Sequence, residues 1–384
     1  MRPRVSISTD SRPEQLIWCY PESPAVGSPP PMLNAPAVAA EGRVFLQVAD
    51  RLVALQQGGD KPALCWEYAA GSRAPGPVTI APDGTLRLHT ADGMLHALTP
   101  AGKPLWPPVL VGQPLPRAVP LVDAANNTWI SAYGGGLLRV DPQGKCDPGR
   151  PFFRSRAILD AGGVIHDDVL YIGSQESCLF AIGLQGSHAG NLWDHASGRG
   201  QTGWVVRCWT ALREDGLLIA AAADQYLYGF DLQGQLVWKT EIPGQMLGSP
   251  VVDPQGHIYV GVCQTARGRP ARGLLVCVDG NSHKIRWQYE AADAVESTPV
   301  VGDDGLVYFG DNAGFIYALD LHGQLQWRAK LHSAVRSAGT IIARNRLAFG
   351  LDSQQLAVLE CSSQGLAASG WPKAGKTLSQ CGLA

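Results

Sequence analysis

The sequence predicts an all-β fold, an eight-bladed β-propeller of four-stranded antiparallel blades, from two observations. Short β-type runs separated by hairpin-length turns recur along the chain, and tryptophans recur about every 40–50 residues. Four-stranded repeats of this length are typical of propellers, whose sheets pack on their neighbours around a central channel. A repeat architecture also accounts for the length, because 384 residues would otherwise suggest two or three ordinary domains.

The clearest repeat covers residues 295–327. Its four β-type runs are 298–301, 306–310, 315–319 and 325–327, and turns rich in Asp, Asn and Gly separate them. One double gap in the tryptophan series has Phe152 and Phe153 where the missing tryptophan is expected. The tryptophans that mark the repeats are Trp18, Trp66, Trp106, Trp193, Trp238, Trp287, Trp327 and Trp371.

The two ends of the chain are predicted to meet in one sheet. Residues 16–20 read as a strand without three strands before it, so we expect them to complete the last blade. Residues 1–15 are then an N-terminal arm, and residues 16–384 are a single propeller domain. Closure of this kind removes exposed sheet edges.

The repeat resembles the tryptophan-docking motif of pyrroloquinoline-quinone-type (PQQ-type) propellers. The motif reads Ala318-Leu-Asp320-Leu-His-Gly323-Gln-Leu-Gln-Trp327 in one unit and Gly229-Phe-Asp231-Leu-Gln-Gly234-Gln-Leu-Val-Trp238 in another. The resemblance implies that each outer-strand tryptophan stacks between blades and ties one sheet to the next. It does not imply the quinone, because many members with this repeat bind none.

Composition and charge exclude several classes of protein. An apolar fraction of 45% with only 17% charged residues argues against long disorder. A net charge of −2 argues against nucleic acid or an anionic membrane as a bulk partner. No apolar run resembles a signal peptide or a membrane span, and the scattered cysteines read as reduced, mostly buried thiols. These features predict a cytoplasmic protein.

No catalytic, cofactor or metal site is predicted. The resemblance implies adjacent cysteines and a calcium-binding Glu/Asn/Asp set in the quinone enzymes, and neither occurs in this sequence. His89 and His96 share one hairpin at a spacing that a metal could use, but we expect a solvated surface pair. No phosphate-binding glycine loop and no nucleophile with its base are recognisable.

Charged residues are enriched at one position of the repeat, three residues before the Pro-Val-Val-like core of each unit, where the innermost strand is expected to begin. Arg117, Asp160, Arg207, Glu296 and Arg336 occupy it, which places them at one mouth of the channel. The arginines would then receive an anionic group such as a carboxylate, a phosphate or an acidic peptide. Alternatively, Arg336 pairs with Glu296 and Arg207 with Asp160 as structural ion pairs, and the alternating signs favour this alternative.

Two further segments are candidate contacts. An insertion in the sixth unit carries Arg267, Arg269 and Arg272 among Gly, Pro and Ala, which is typical of an exposed loop, whether a partner contact or a tolerated insertion. Trp204 and Trp209 are additional to the repeat series and flank Arg207. Trp209 falls in a strand and is expected in the core, whereas Trp204 lies in a Gly-rich loop and is the better surface candidate.

These observations predict a non-catalytic interaction platform or regulatory subunit in a bacterium, monomeric on its own, that docks a protein partner encoded nearby in a signalling, protease or defence module. One alternative is an enzyme or receptor that binds a small anion or a cofactor at the channel mouth. Another is an envelope assembly scaffold, similar to the outer-membrane assembly lipoprotein of this fold. The absence of a recognisable export signal argues against the scaffold.

Overall fold

The described part of the chain folds into eight antiparallel sheets, which are the blades of an eight-bladed β-propeller, as predicted. This computed structural model describes residues 16–22, 35–58, 61–113, 119–133, 136–159, 162–185, 190–264 and 272–376. The chain divides into two compact units. The five-blade unit consists mainly of Pro36–Gln56 and Leu64–Lys239, and the three-blade unit mainly of Thr240–Ala374 with the N-terminal strand.

Each blade of the five-blade unit is a simple up-and-down meander of four strands. A 3₁₀ turn at His195–Ser197 follows the fourth blade, with Asp194 accepting the N–H of Ala196 at its start. Blade 1 consists of β2 (Ala37–Val38), β3 (Arg43–Val48), β4 (Arg51–Gln56) and β5 (Ala63–Ala69), and blade 2 of β6 (Thr79–Ile80), β7 (Leu86–His89), β8 (Met94–Leu98) and β9 (Val109–Leu110). Blade 3 consists of β10 (Leu121–Val122), β11 (Thr128–Ala132), β12 (Gly136–Val140) and β13 (Phe153–Arg154). Blade 4 consists of β14 (Val164–His166), β15 (Val169–Ser174), β16 (Cys178–Gly183) and β17 (Gly190–Asn191), and blade 5 of β18 (Ala211–Leu212), β19 (Leu218–Ala221), β20 (Tyr226–Phe230) and β21 (Leu236–Glu241).

The three-blade unit departs from the simple meander at both of its ends. Blade 6 has a first strand in two short pieces that both pair with the second strand, and blade 8 takes its outer strand from the N-terminus. Blade 6 consists of β22 (Gln245–Met246), β23 (Val251–Val252), β24 (Ile258–Gln264), β25 (Arg272–Val278) and β26 (Ile285–Ala291). Blade 7 consists of β27 (Val300–Val301), β28 (Leu306–Gly310), β29 (Phe315–Asp320) and β30 (Leu325–Lys330). Blade 8 consists of β31 (Thr340–Ala343), β32 (Arg346–Gly350), β33 (Leu356–Glu360) and β1 (Leu16–Tyr20).

Strand position within a blade explains the hydrophobic pattern of the sequence. The middle strands are covered on both faces, so they read as continuous apolar runs; β24 is buried along six of its seven residues. The outer strands have one face toward solvent, and β26 therefore alternates between half-buried and exposed positions. The core of each unit lies between the faces of successive blades, such as that of Tyr308 and Phe349 between blades 7 and 8.

The repeat motif builds the turn between the third and fourth strands. In blade 7 the Asp320 carboxylate accepts hydrogen bonds from the backbone N–H groups of His322 and Gln324, both at 2.9 Å. Gly323 has a φ of +80°, a conformation that glycine adopts without steric cost. A Cβ atom added to Gly323 would lie 2.7 Å from the indole of Trp287 in blade 6. Two constraints therefore require glycine here, the backbone angle and the ring.

This tryptophan docking recurs from blade to blade, as the resemblance implied. In the three-blade unit, the Trp287 indole of blade 6 donates to the carbonyl of Leu321 in blade 7 at 3.0 Å. In the five-blade unit, the Trp66 indole of blade 1 donates to the carbonyl of Pro100 in blade 2, also at 3.0 Å. Where the tryptophan is missing in blade 3, Phe153 packs edge-to-face on Phe180 of blade 4 at 5.2 Å. Trp66, Trp106 and Trp193 meet Gly102, Gly144 and Gly234 in the way that Trp287 meets Gly323.

Trp371 is not the outer-strand tryptophan that the repeat spacing suggested. It lies in a segment after β33 that crosses back to blades 6 and 7, where Trp371 and Val252 exchange two backbone hydrogen bonds of 2.8 Å. The Val301 N–H bonds to the carbonyl of Pro372, also at 2.8 Å. The difference arises because β1, which carries Trp18, already fills the outer position of blade 8. We call residues 362–373 the C-terminal strap.

Candidate functional site

One end of each blade carries most of the candidate residues. We call it the leading end: it holds the segment that leads into the first strand and the hairpin between the second and third strands. A backbone hydrogen bond joins these two pieces and gives the blades a common frame. It runs from Gln175 to Ile158 at 2.9 Å, from Ala223 to Val205 at 3.0 Å, from Asn312 to Ala294 at 3.0 Å and from Asp352 to Ala334 at 3.1 Å.

This frame makes the charged positions of the sequence structurally equivalent where they can be compared. Arg207, Glu296 and Arg336 each lie two residues after the accepting carbonyl. Asp160 has the same place in the sequence of blade 4, but it lies outside the described residues, as does Arg117. The structure therefore describes three of the five charged positions, those of Arg207, Glu296 and Arg336.

Arg336 is held by its neighbours in the three-blade unit. Its Nε donates to Oδ1 of Asn312 at 3.1 Å, and its Nη1 lies 3.2 Å from the Asp352 carboxylate. Glu296 is more distant, with 3.9 Å between Nε of Arg336 and Oε2, and it accepts the Asn312 amide at 2.7 Å. Burial raises the pKa of Asp352, while the Arg336 guanidinium opposes that rise. This arrangement is of the structural ion-pair kind, with Nε and Nη1 of Arg336 both engaged by groups of the protein.

Arg207 has a different environment, although its position in the blade is the same. The residue of blade 5 that corresponds to Asp352 is Ala223, which offers no carboxylate. The Arg207 side chain is exposed, and within the described part of the chain no acidic group forms an ion pair with it. Its predicted pairing with Asp160 stays a prediction, since that residue is outside the described ranges.

Trp204 is the most exposed of the large apolar side chains described, at 60% of its full surface. The backbone on both sides of it is fixed: Thr202 donates to the carbonyl of Ser177 at 2.8 Å, and Val206 to that of Ser174 at 3.0 Å. Trp209, in contrast, is 8% exposed. The indole of Trp204 is therefore displayed on a hydrogen-bonded segment, and the predicted division between a surface and a core tryptophan agrees with these exposures.

The insertion of blade 6 lies at the same end, between β24 and β25. Residues 265–271, including Arg267 and Arg269, are outside the described residues. Arg272 begins β25 and forms an exposed ion pair with Glu290 at 2.9 Å. Exposed pairs of this kind contribute little to stability. The role of the insertion as a partner contact stays a prediction.

The expectation of a solvated His89 and His96 pair is wrong. Both side chains are 4% exposed. His89 Nε2 bonds to the carbonyl of Gly112 at 2.9 Å, and His96 lies 3.1 Å from the hydroxyls of both Thr90 and Tyr68. Burial lowers the pKa of each imidazole. Hairpin β7–β8 occupies the middle of blade 2, where neighbouring segments cover it, so these histidines are part of the core.

Several other titratable groups of the described residues are buried. Within the described ranges, no three His, Cys, Asp or Glu side chains are placed to hold a metal ion together. Cys178 and Cys277 are buried, as predicted, and burial raises the pKa of each thiol to about 12. Lys373 in the C-terminal strap is fully buried, which lowers the pKa of its amine to about 7. None of the described helices has the length and apolar character needed to cross a membrane.

Comparison with known proteins supports the repeat on independent grounds. Residues 223–369 match the family profile described as outer membrane protein assembly factor BamB. The predicted resemblance to PQQ-type propellers is confirmed. No curated protein matches the sequence.

Solved structures agree with this chain in fold. BamB from Moraxella catarrhalis is 17% identical, with a TM-score of 0.67 over 88% of this chain and 97% of that one. A europium-containing methanol dehydrogenase is 15% identical, with a TM-score of 0.66 over 90% and 93%. Sqt1 of Saccharomyces cerevisiae is 11% identical, with a TM-score of 0.66 over 86% and 96%. These three proteins include an enzyme and an assembly factor. At sequence identities this low, the comparison shows a shared fold and not a shared function.

The sequence located Arg207, Trp204 and Arg336, and it named Glu296 as a partner of Arg336, but it did not indicate the two nearer partners, Asn312 and Asp352. Asn312 and Asp352 lie in hairpins that are distant in sequence from Arg336, Asn312 in blade 7 and Asp352 in blade 8. The sequence signal for them is their shared place, two positions after the last residue of the second strand of a blade.

Proposed function

We propose that this chain is a non-catalytic platform that binds a protein partner through the leading ends of its blades. The observation that supports this most directly is the indole of Trp204, 60% exposed on a segment with fixed backbone and three residues from the exposed Arg207. Tryptophan and arginine are the residues most enriched among those that dominate binding energy at protein interfaces. A rigid scaffold presents them with little ordering cost.

The proposal places the protein in the cytoplasm, as a regulatory or scaffolding subunit. The test is affinity purification of the tagged chain from its native host, followed by size-exclusion chromatography. The expected result is one companion protein at fixed stoichiometry, eluting together with the chain. A chain that elutes alone, with visible absorbance from a bound quinone, would instead support the cofactor-binding alternative.

A second candidate is a scaffold in envelope assembly, and the profile match over residues 223–369 favours it, since that profile is described by an outer membrane assembly factor. Cell fractionation separates the two candidates. Recovery in the soluble cytoplasmic fraction supports the first, and recovery with outer-membrane components supports the second.

A further inference from the structure

We propose that Arg156, Trp204 and Arg207 form a docking surface for an acidic linear segment of the partner that also carries an apolar side chain. We call these three residues the Trp204 surface. The proposal rests on the platform function above and adds to it the place of contact and the chemistry of the partner.

The backbone of blade 4 brings the three residues to one place. The hairpin between β15 and β16 lies between the two segments that carry them. On one side, the Glu176 carboxylate of this hairpin accepts the backbone N–H groups of Arg156 at 2.6 Å and Ala157 at 3.1 Å. On the other side, the hairpin carbonyls of Ser174 and Ser177 accept the N–H groups of Val206 and Thr202, which bracket Trp204.

Two exposed guanidinium groups are the binding feature of this surface, and the nearby acidic groups, which keep their negative charge, already accept hydrogen bonds within the protein. Glu176 is occupied by the two N–H groups just described. Asp224, in the adjacent hairpin of blade 5, accepts the Tyr228 hydroxyl at 2.5 Å and the N–H of Tyr226 at 3.2 Å. Arg156 and Arg207 are exposed, and neither has an ion pair with an acid in the described ranges. Carboxylates of a partner complement two such guanidinium groups.

Comparison with blade 8 shows what sets the blade 5 arginine apart. At the equivalent position Arg336 is bound by Asp352 of its own blade, whereas the residue of blade 5 in the place of Asp352 is Ala223, which has no carboxylate. Blade 5 therefore has the methyl group of Ala223 where blade 8 has the carboxylate of Asp352. Trp204 is exposed in the segment that leads into the same blade 5. Within the described ranges, no acidic side chain engages the arginine of blade 5, and an external carboxylate would supply the partner that Asp352 supplies to Arg336.

A peptide fits this surface better than a nucleic acid. Tight binding of a phosphate backbone requires many basic contacts, and here there are two arginines with Glu176 between them, in a protein of net charge −2. The indole offers an apolar face to a hydrophobic side chain. Alternating acidic and apolar residues in an extended segment satisfy both features.

The experiment is selection of peptides from a random 16-residue phage-displayed library against the immobilised full chain. Selected peptides are synthesised and their affinities measured by fluorescence polarisation. We expect enrichment of Asp or Glu together with Phe, Trp or Leu. We expect affinity to fall about 30-fold in Trp204→Ala and about tenfold in Arg156→Ala and in Arg207→Ala.

Two matched variants control for general surface effects. Leu110→Ala removes an apolar side chain that is 58% exposed on β9, and Arg344→Ala removes an exposed arginine of blade 8. Both are expected to bind the selected peptides like the wild type. Thermal melting of every variant checks that each remains folded.

The Trp204 surface is refuted if no peptide is selected, if the selected peptides are not acidic, or if Trp204→Ala binds them equally well. It is also refuted if a single-stranded oligonucleotide binds more tightly than the peptides and loses affinity in the same variants. The native partner separates this failure from that of the proposed function. A partner that still co-purifies with the Trp204→Ala/Arg207→Ala variant leaves the platform intact but moves its contact elsewhere.

Discussion

Gly323→Ala should destabilise the protein far more than the same substitution at Gly305, because only Gly323 lies under a docked tryptophan. Both glycines are in turns of blade 7, with φ of +80° and +75°. A Cβ atom at Gly305 would meet nothing within 4 Å, whereas one at Gly323 would lie 2.7 Å from a carbon of the Trp287 indole. The pair therefore separates the cost of the backbone angle from the cost of the ring contact.

The expected magnitudes follow from these two contributions. A left-handed backbone costs a residue with a Cβ atom about 1–2 kcal/mol, and both variants incur it. Overpacking against the indole adds about 1–3 kcal/mol at Gly323 alone. Gly323→Ala should thus lower the free energy of unfolding by about 2–5 kcal/mol, and Gly305→Ala by about 1–2 kcal/mol.

The assay is urea unfolding followed by circular dichroism, with Trp287→Ala as a second background. In that background the indole is absent, so Gly323→Ala should cost no more than Gly305→Ala. Equal destabilisation by the two glycine variants in the wild-type background would refute the docking contact. So would a cost at Gly323 that persists without the indole.

Three further predictions concern the buried and charged groups. Lys373→Met should be more stable than the wild type at pH 7, because an amine with a usual pKa of 10.5 has a pKa of about 7 in the fold. Between pH 7 and 10.5 the unfolded wild type binds one more proton at Lys373 than the folded wild type does. The difference in unfolding free energy between Lys373→Met and the wild type should therefore shrink by up to about 1.4 kcal/mol per pH unit over this range. A difference that stays constant with pH would contradict this prediction. Burial lowers the pKa of His89 and His96, so the unfolded chain binds more protons below about pH 6.5, and the wild type should lose stability from pH 7 to 5. The double substitution to Gln should flatten that loss in thermal melts, and an unchanged pH profile would count against it. Arg336→Met should lower the unfolding free energy by about 1–2 kcal/mol, since it leaves Asp352 without its cation, and an unchanged urea midpoint would show that the ion pair contributes nothing.

Local features of the fold were predictable from the sequence, because their causes are close together in the chain. Asp320 and Gly323 shape one turn, and Trp327 follows in the next strand, so the motif reads directly as a hairpin. The repetition of that motif was enough to predict the blades and the number of strands in each.

Features that depend on neighbouring blades were not predictable in the same way. His89 and His96 read as exposed because a hairpin pattern does not show what covers it. Trp371 matched the repeat spacing, yet the outer place in blade 8 is filled by β1. These outcomes depend on contacts between segments that are distant in the sequence.

The candidate site shows the same division at the level of single residues. Arg207 and Arg336 occupy one repeat position and look alike in the sequence. What distinguishes them is the residue at one equivalent place in the hairpin of the same blade, Ala223 in blade 5 and Asp352 in blade 8. Their equivalence followed from the repeat, and their different environments required the structure.

The central claim, that the leading ends of the blades bind a protein partner, is tested most directly by quantitative affinity purification from the native host. The wild type, Trp204→Ala/Arg207→Ala and the control Leu110→Ala/Arg344→Ala are purified in parallel, and the companion protein is quantified by mass spectrometry. We expect an equimolar companion with the wild type and the control, and at least about tenfold less of it with Trp204→Ala/Arg207→Ala. The absence of a companion from all three chains would overturn the platform function, and equal recovery with all three would overturn the Trp204 surface as its place of contact.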